Sequence, residues 1–265
     1  MMTMRRGVGE ACQSRTMSWL DETMVGFDTE TTGVSTEHDR IVTAAVITRT
    51  GDTVTTRTWL IDPGVEIPAG ATAVHGITTA QARAEGAAPA QALEEVATAL
   101  AGALNAGFPV VAFNAQFDLT LLENELARHG LRSLAARLVR REVRPVIDPL
   151  VLDRKLDQYR KGKRKLIDLC TLYAVTVVAE DLHAADADVL ATLELVQALA
   201  AAHPTMRATS LDSLHDLQAS AHREWAVRFA AWLKSKGEVD DLPRPEWPVA
   251  VAAAPAPANQ DTLFG

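Results

Sequence analysis

Two acidic residues stand one position apart in the stretch VGFDTETTG, residues 25–33. The apolar residues that lead into this stretch predict a buried strand, in which alternate side chains point the same way. Asp28 and Glu30 should therefore share one face, with Phe27 and Thr29 on the other. Two carboxylates held together on a buried strand repel each other, and burial raises their pKa values. The pair therefore needs a cation.

More polar side chains occur where a strand is predicted to end and a helix to begin. Asn114 and Asp118 lie in VVAFNAQFDLTLL, and His183 and Asp188 lie in LHAADAD. Loops at such junctions converge beyond the sheet of an α/β fold, so these residues should meet the first pair. Four acids and one histidine suit hard divalent cations such as Mg²⁺ or Mn²⁺ better than zinc. Helical spacing alone does not separate Asp188 from Asp186 as the acid of this last motif.

The elements around these residues predict an α/β fold. Three segments rich in β-branched residues, MVGFDTE, RIVTAAVITRT and TVTTRTWLID, read as strands, with a hairpin turn at TGD. Shorter strands at VVAF and RPVID are each followed by helical spacing, and further helices are predicted near 90–104 and 184–203. The segment IPAGATAVHGITTAQARAEG reads as a loop. A meander followed by interleaved strands and helices predicts a mixed sheet.

Composition restricts the class of protein. The chain has 265 residues, of which 48% are hydrophobic and 23% charged, enough for one domain of catalytic size. Two cysteines make no disulfide framework, and the first twenty residues lack the apolar core of a secretory signal. No apolar run is long enough to span a membrane, so a soluble, cytoplasmic protein is expected. A net charge of -8 argues against nonspecific binding along a polyanion, but it allows local binding of nucleic acid.

The three motifs FDTETTG, AFNAQFD and HAADAD, in this order and spacing, resemble those of a known family. They are similar to the DEDDh branch of the ribonuclease H-like 3′-5′ exonucleases, which includes the proofreading epsilon subunit of bacterial DNA polymerase III. The resemblance covers about residues 24 to 203. It implies a ribonuclease H-like fold with a central mixed five-stranded sheet flanked by helices. It also implies two divalent metal ions, Mg²⁺ or Mn²⁺, and release of nucleoside monophosphates from DNA 3′ ends.

The resemblance also implies a role for each residue of the motifs. Asp28 would bridge both metals, and Glu30 and Asp188 would bind the metal that holds the attacking water. Asp118 would complete the shell through a water molecule. His183 would be the general base, since a neutral imidazole is available near its unperturbed pKa of about 6.5.

Substrate contacts follow from the same resemblance. The backbone around Thr31 and Thr32 and the ring of Phe117 would meet the 3′-terminal sugar and base. Asn114 either ties the strand end or contacts the terminal nucleotide. The expected partners are single-stranded or frayed DNA 3′ ends. An RNA exonuclease of the oligoribonuclease or RNase T type is the alternative, because the sequence does not show how the pocket treats a 2′ hydroxyl.

The stretch YRKGKRKL, residues 159–166, gathers basic side chains in an acidic chain. It is either a solvated loop or a contact to the phosphates of the incoming strand. Under the second hypothesis Lys161, Lys163 and Arg164 bind substrate.

The two ends of the chain differ from its centre. Residues 1–20 are unpatterned and predict a disordered segment, and residues 21–206 form the predicted exonuclease domain. Residues 207–238 predict a helical extension that docks on the core or on a partner through an apolar stripe containing Leu214, Leu217, Trp225, Phe229, Trp232 and Leu233. Residues 239–265 are rich in Pro and Ala and predict a flexible tail.

The tail ends in QDTLF, which looks like the pentapeptide by which bacterial polymerases and repair proteins engage the sliding clamp. Leu263 and Phe264 would fill an apolar pocket of the clamp, and Gln260 would make polar contacts. A replicative polymerase is a further expected partner. The alternative to an enzyme is a non-catalytic, clamp-associated adaptor. An adaptor, however, does not need four carboxylates held close together.

Overall fold

The computed structural model describes residues 18–176, 185–240 and 242–250. A mixed sheet lies at the centre of this part of the chain, with five strands in the order β3-β2-β1-β4-β5. The strands are β1 (Thr23–Thr31), β2 (Ile41–Thr50), β3 (Thr53–Leu60), β4 (Val110–Val111) and β5 (Val146–Ile147). Strands β1, β2 and β3 pair antiparallel, whereas β4 and β5 continue the sheet in parallel. The predicted α/β fold with a mixed five-stranded sheet is confirmed.

Helices flank the sheet on both faces. A short 3-10 helix (Trp19–Asp21) precedes β1. The α-helices are α1 (Ala69–His75), α2 (Thr79–Glu85), α3 (Pro89–Asn105), α4 (Ala115–Arg128), α5 (Leu134–Arg137), α6 (Pro149–Leu156), α7 (Leu166–Leu172), α8 (Ala185–Ala202), α9 (Pro204–Ala208) and α10 (Leu211–Ser235). Within the described residues, no helix combines the length and the apolar character that crossing a bilayer requires.

The two faces of β1 enter two different cores. Val25 and Phe27 pack with the apolar residues of α3 and α4, whereas Met24 packs with those of α8. This alternation is the period of two that a strand imposes on its side chains. It places Asp28 and Glu30 on the α8 side of the sheet, at the end of β1, as the sequence predicts.

Local sequence explains the turns and one wrong prediction. Gly51 has φ 57°, in the left-handed region that glycine adopts without strain, and it turns β2 into β3 as predicted. The stretch predicted as a loop before α3 instead contains α1 and α2. Its alanines favour helix, Thr78 caps α2 by accepting from the Gln81 amide, and Gly76 ends α1 with φ 78°.

The long helix α10 covers the β5 edge of the sheet. Polar side chains of α10 form hydrogen bonds with the backbone at this edge. His215 Nδ1 accepts from the Val146 amide at 3.1 Å, and burial lowers the pKa of His215 to about 4, which keeps this acceptor neutral. Gln218 accepts from the Asp148 amide at 2.7 Å and donates to the Val146 carbonyl at 3.1 Å. These bonds satisfy backbone groups of β5 that have no neighbouring strand. The polar residues of the docking face were not predicted.

Only the first part of the predicted apolar stripe reaches the core. Leu214 is buried, but Phe229 and Trp232 are exposed by 37% and 53%. A helix of 25 residues is about 37 Å long. The same face of α10 therefore continues past the core that its first half covers. The sequence predicts that this stripe docks on the core or on a partner, and its aromatic half does not reach the core.

The predicted flexible tail is also wrong for residues 242–250, which lie against the α3–α4 side of the core. Trp247 is buried in the α3–α4 core cluster, and the Ala250 amide donates to Thr120 Oγ1 at 2.9 Å. Gln116 donates to the Arg244 carbonyl at 3.1 Å. An apolar tryptophan and well-placed backbone bonds anchor a segment whose Pro-rich composition indicated disorder. At the other end, Trp19 and Leu20 are buried, so the predicted disordered segment does not extend to residue 20.

Candidate active site

Three carboxylates converge at the end of β1. Asp28 and Glu30 come from β1, and Asp188 comes from the first turn of α8. Each offers an oxygen, and these three oxygens lie within 4.8 Å of one another. Asp186, the alternative to Asp188, instead accepts from the amide of Ala187 and is not part of the cluster. The structure thus resolves a choice that helical spacing left open.

A glycine allows α8 to approach β1 closely enough to form this cluster. Gly26 lies on the same face of β1 as Asp28 and Glu30. A Cβ at position 26 would overlap with Cγ1 of Val189 and would lie 3.2 Å from Cγ of Leu193. Val189 directly follows Asp188, so the contact that needs the glycine also sets the position of the ligand. Sequence reasoning missed Gly26, although a glycine inside a strand is a signal of close approach.

Replacing Gly26 by alanine should therefore move α8 outward and separate Asp188 from the other two acids. We expect a loss of about 1–3 kcal/mol in the free energy of unfolding and a fall in nuclease activity of about tenfold or more. Adding Val189→Ala removes the overlapping Cγ1, so the double variant should recover activity. Val189→Ala alone should change activity little. Urea denaturation and oligonucleotide hydrolysis measure the two effects. A double variant no more active than Gly26→Ala would contradict this account.

Asp118 lies beside the three carboxylates but is anchored differently. It is buried on α4, and its Oδ1 accepts from the Thr29 amide at 3.1 Å and from Thr29 Oγ1 at 2.7 Å. Thr29 is on the face of β1 opposite Asp28, so these bonds tie α4 to the strand that carries the acidic pair. Asp118 is outside the set whose oxygens are mutually within 4.8 Å.

A further carboxylate, missed by the sequence reasoning, positions the start of α4. Asp148 is buried and accepts from the amides of Asn114 and Ala115 at 3.1 and 3.0 Å. It also caps α6 by accepting from the Leu150 amide at 2.9 Å. Asn114 itself has φ 62°, a left-handed conformation that asparagine tolerates better than most residues. Asp148 thus links the first turns of α4 and α6.

The carboxylates repel one another without a cation. Burial, followed by Asp118, Asp188 and Glu30, raises the pKa of Asp28 well above its usual range. Burial and the charges of Asp188 and Asp118 raise the pKa of Glu30 to about 7. Burial also raises the pKa of Asp118, although the bonds from Thr29 oppose this. An all-oxygen donor set with this excess negative charge fits divalent metal ions of the Mg²⁺ class.

The raised pKa values predict how pH controls stability in the absence of metal. The folded state holds protons on these acids that the unfolded chain has already released. Their contribution to stability is therefore complete below the unfolded pKa, near 4.5 for Glu30, and is lost as pH rises through about 7. A bound cation replaces the protons, so stabilisation by Mg²⁺ should increase with pH over this range.

We expect the rise in melting temperature caused by Mg²⁺ to be small near pH 5.5 and to reach about 5 °C or more at pH 8. Thermal melts in EDTA and in excess Mg²⁺ measure it at each pH. Asp28→Asn is the matched control and should show little response to metal. An increment that is the same at both pH values would contradict the prediction.

Two of the predicted substrate residues, both at the start of α4, line one cleft. Asn114 and Phe117 line a cavity of about 580 Å³ together with residues 34–38 and 242–244. The Thr31 hydroxyl donates to the Gly33 carbonyl at 2.6 Å, and the Thr32 hydroxyl donates to Asp39 at 2.7 Å. These two bonds fix the loop that follows β1.

The basic loop is more structural than predicted. Asp153 is fully buried and binds the guanidinium groups of Arg160 and Arg164, and the Tyr173 hydroxyl donates to it at 3.0 Å. Arg164 also donates to the Asp157 carbonyl at 2.7 Å. A buried charge must be paired, which commits these arginines to the fold. The predicted role of Arg164 in binding phosphate is therefore corrected.

The remaining predicted site residues are either exposed or outside the part of the chain that the structure describes. Lys161 and Lys163 are exposed and remain candidates for phosphate contact. His183, Gln260, Leu263 and Phe264 lie outside the described residues. A second histidine, His75, sits at the end of α1, where its Nδ1 accepts from the Ile77 amide at 3.1 Å and burial lowers its pKa.

Comparison with known proteins identifies the class. Residues 25–196 match the model of the exonuclease family designated RNase T. The "DNA polymerase III subunit epsilon-like protein" of Rhodobacter capsulatus is 35% identical over 176 residues, covering 65% of this chain and 23% of that protein. The "DNA polymerase III PolC-type" of Lacticaseibacillus paracasei is 32% identical over 194 residues, covering 72% of this chain and 12% of that protein. The chain thus spans less than a quarter of the length of these relatives.

Solved structures share the fold. Exonuclease I of E. coli in complex with a dT13 oligonucleotide matches with a TM-score of 0.58 and 21% identity, over 70% of this chain and 42% of that one. The complex of the same enzyme with a dA16 oligonucleotide matches with a TM-score of 0.60 over 76% of this chain and 44% of that one. The family model, which matches more than half of the chain, places it among the exonucleases of the ribonuclease H-like superfamily. The chain belongs to the DnaQ-like exonuclease family.

Proposed function

We propose that this chain is a metal-dependent 3′-5′ exonuclease that shortens single-stranded or frayed DNA from its 3′ end, in replication proofreading or repair. The observation that carries the proposal is the convergence of Asp28, Glu30 and Asp188, with oxygens within 4.8 Å of one another, in a member of an exonuclease family. The names of the relatives favour DNA over RNA and a role close to a polymerase.

The donor set supports a two-metal site of the DEDDh type. Two Mg²⁺ or Mn²⁺ ions bound there would activate the attacking water and neutralise the charge that develops on the leaving 3′ oxygen. Asp28, between its neighbours, would contact both ions, while Glu30 and Asp188 would hold the ion on the water side. Asp118, whose Oδ1 is tied to Thr29, would act through a water molecule.

His183 completes the proposed set as the general base. It precedes Asp188 by five residues and therefore precedes the first residue of α8, Ala185. A histidine just before this helix can approach the water without being a ligand. A neutral imidazole is available to accept a proton at neutral pH, because the unperturbed pKa of a histidine side chain is about 6.5.

The cleft beside Asn114 and Phe117 would receive the terminal nucleotide. Phe117 offers an aromatic surface for the base, and the backbone around Thr31 and Thr32 would meet the sugar. A chain with its 3′ end in this cleft would present the last phosphodiester bond to the acids.

Matched oligonucleotides test polarity, substrate and metal together. We would incubate DNA and RNA of one sequence, labelled at the 5′ or the 3′ end, with Mg²⁺ or Mn²⁺ and with Asp28→Ala as control. The proposal expects a stepwise ladder from 5′-labelled DNA and immediate release of a labelled mononucleotide from 3′-labelled DNA. Faster hydrolysis of RNA would favour the RNA exonuclease. No hydrolysis of either would favour the adaptor.

We further propose that residues 21–206 form the exonuclease domain, that 207–238 form its helical extension, and that the last residues bind a sliding clamp. Deleting residues 260–265 should abolish binding to a bacterial sliding clamp in calorimetry, because Gln260, Leu263 and Phe264 would supply the contacts. Hydrolysis of short oligonucleotides should not change. Thr262→Ala is the control, and equal affinity of the deletion variant would end this part of the proposal.

A further inference from the structure

The second half of α10 carries a row of aromatic rings that the core does not cover. Trp225, Phe229 and Trp232 lie on one helical face, and we call them the aromatic ladder. The rings of Trp225 and Phe229 stack at 5.4 Å with planes 20° apart, and those of Phe229 and Trp232 stack at 5.6 Å with planes 11° apart. Phe229 has a ring on either side, so the free end of the ladder is Trp232.

The aromatic ladder forms one wall of a groove between α10 and α6, the α6–α10 groove, with a volume of about 510 Å³. The other wall is cationic. Five basic residues and one acidic residue line the groove, namely Arg154, Lys155, Arg160, Arg164, Arg228 and Glu224.

The charges of the groove are only partly neutralised. Arg160 and Arg164 share the buried Asp153, and Lys155 lies 3.8 Å from Glu224. The guanidinium of Arg154 lies 3.9 Å above the ring of Trp225 and closes the inner end of the ladder. The groove is therefore a local region of positive charge in a chain whose net charge is -8.

Stacked rings facing a cationic wall suit single-stranded nucleic acid. Bases stack on aromatic side chains regardless of sequence, while the phosphates follow a positively charged groove. Tyr159, on the loop that continues the cationic wall, is 90% exposed and adds another free ring. Aromatic residues and arginine also occur at protein interfaces, but aromatic faces beside a row of cations suit the bases and phosphates of a single strand better.

The groove is connected to the candidate active site through α6. Asp148 binds the amides of Asn114 and Ala115 at the cleft and caps the start of α6. Lys155, in the groove, follows Asp148 by seven residues, which is about 10 Å along a helix. The cleft and the groove therefore lie at opposite ends of one short helix.

We propose that the α6–α10 groove binds the part of the single strand that lies 5′ of the nucleotide being removed. The proposal rests on the proposed function, because it assumes that the 3′ end occupies the cleft. Trp232 would stack on a base, and Arg228 and Lys155 would contact phosphates. The groove would then favour longer strands over short ones without taking part in hydrolysis.

Trp232→Ala and Arg228→Glu test the proposal in the full chain. Both residues are exposed on α10, so folding should be preserved. We expect each to raise KM about tenfold on a twenty-nucleotide oligothymidine, with no change on a thymidine dinucleotide. Hydrolysis of the p-nitrophenyl ester of thymidine monophosphate should also be unchanged. Val227→Ala, exposed on the opposite face of α10, is the matched control. Equal losses on long and short substrates, or no loss on the long one, would overturn the proposal.

A binding measurement separates this proposal from the function it rests on. In an Asp28→Asn background, fluorescence anisotropy of a labelled twenty-nucleotide oligothymidine should show about tenfold weaker binding when Trp232→Ala is added. Arg228→Glu, which removes a phosphate contact, should also make the loss of affinity with salt less steep, whereas Trp232→Ala should leave that salt dependence unchanged. This result would stand even if the wild type hydrolysed nothing. Sedimentation could instead show that Trp232→Ala converts a dimer to a monomer while oligonucleotide binding is unchanged. In that case the groove binds a second copy of the chain, and the proposal fails.

Discussion

Replacing Asp28 by asparagine is expected to abolish hydrolysis while stabilising the metal-free protein. The substitution keeps the shape of the side chain but removes one charge of the cluster. Burial and the charges of Asp118, Asp188 and Glu30 all oppose ionisation of this carboxyl. Without it the remaining acids lose a repulsive neighbour, whereas a bound cation loses its central ligand.

The two effects can be measured independently. Loss of several kcal/mol of charge stabilisation in the transition state corresponds to a fall of about 10³-fold or more in kcat/KM. The free energy of unfolding in EDTA should rise by about 1–2 kcal/mol, because removing repulsion at a functional site commonly stabilises a protein. Asp186→Asn, two residues from Asp188 on the same helix, is the matched control and should change neither quantity much. A large loss of activity in the control with a small one in Asp28→Asn would reject the assignment of the site.

His183→Ala is expected to lower kcat by about 10²–10⁴-fold while leaving KM nearly unchanged. The imidazole in the proposed mechanism removes a proton in the transition state and does not hold the substrate. The deficit should shrink as pH rises, because hydroxide increasingly replaces the missing base. Single-turnover hydrolysis over a range of pH measures both features, and added imidazole should restore part of the rate.

His75→Ala separates this assignment from the other histidine near the site. His75 is committed to the Ile77 amide, and its burial disfavours the charged form. We expect its loss to affect stability and KM more than the pH dependence of kcat. If His75→Ala removed the pH dependence and His183→Ala kept it, the general base would have been assigned to the wrong residue.

Local patterns predicted the face that carries the acids but not how closely the next element approaches it. The period of two in β1 is enough to place Asp28 and Glu30 together, because it depends only on the strand. The choice between Asp186 and Asp188 depends on the rotation and distance of α8. The rotation and the distance are set by the contact between Gly26 and Val189, which are about 160 residues apart in the sequence. Helical spacing contains no information about that contact.

The basic loop and the C-terminal region show the same limit. A run of cations indicates binding of phosphate, but Arg164 is taken by Asp153, a residue eleven positions earlier that folding buries. Composition indicated a flexible tail, but Trp247 finds a site in the core, and Ala250 bonds to Thr120. In each case a partner distant in sequence or hidden by folding changes the role of a side chain.

The sequence by itself indicated the kind of chemistry, since acids and a histidine at strand ends predict a site for divalent cations, and the ordered motifs resemble those of exonucleases. It also determined the α/β class, because strand and helix periods are local. Only the tertiary structure decided which acid of α8 joins β1, which basic residues are free and which aromatic rings stay uncovered. These depend on the distance between elements and on burial, which are properties of packing rather than of any short stretch of chain.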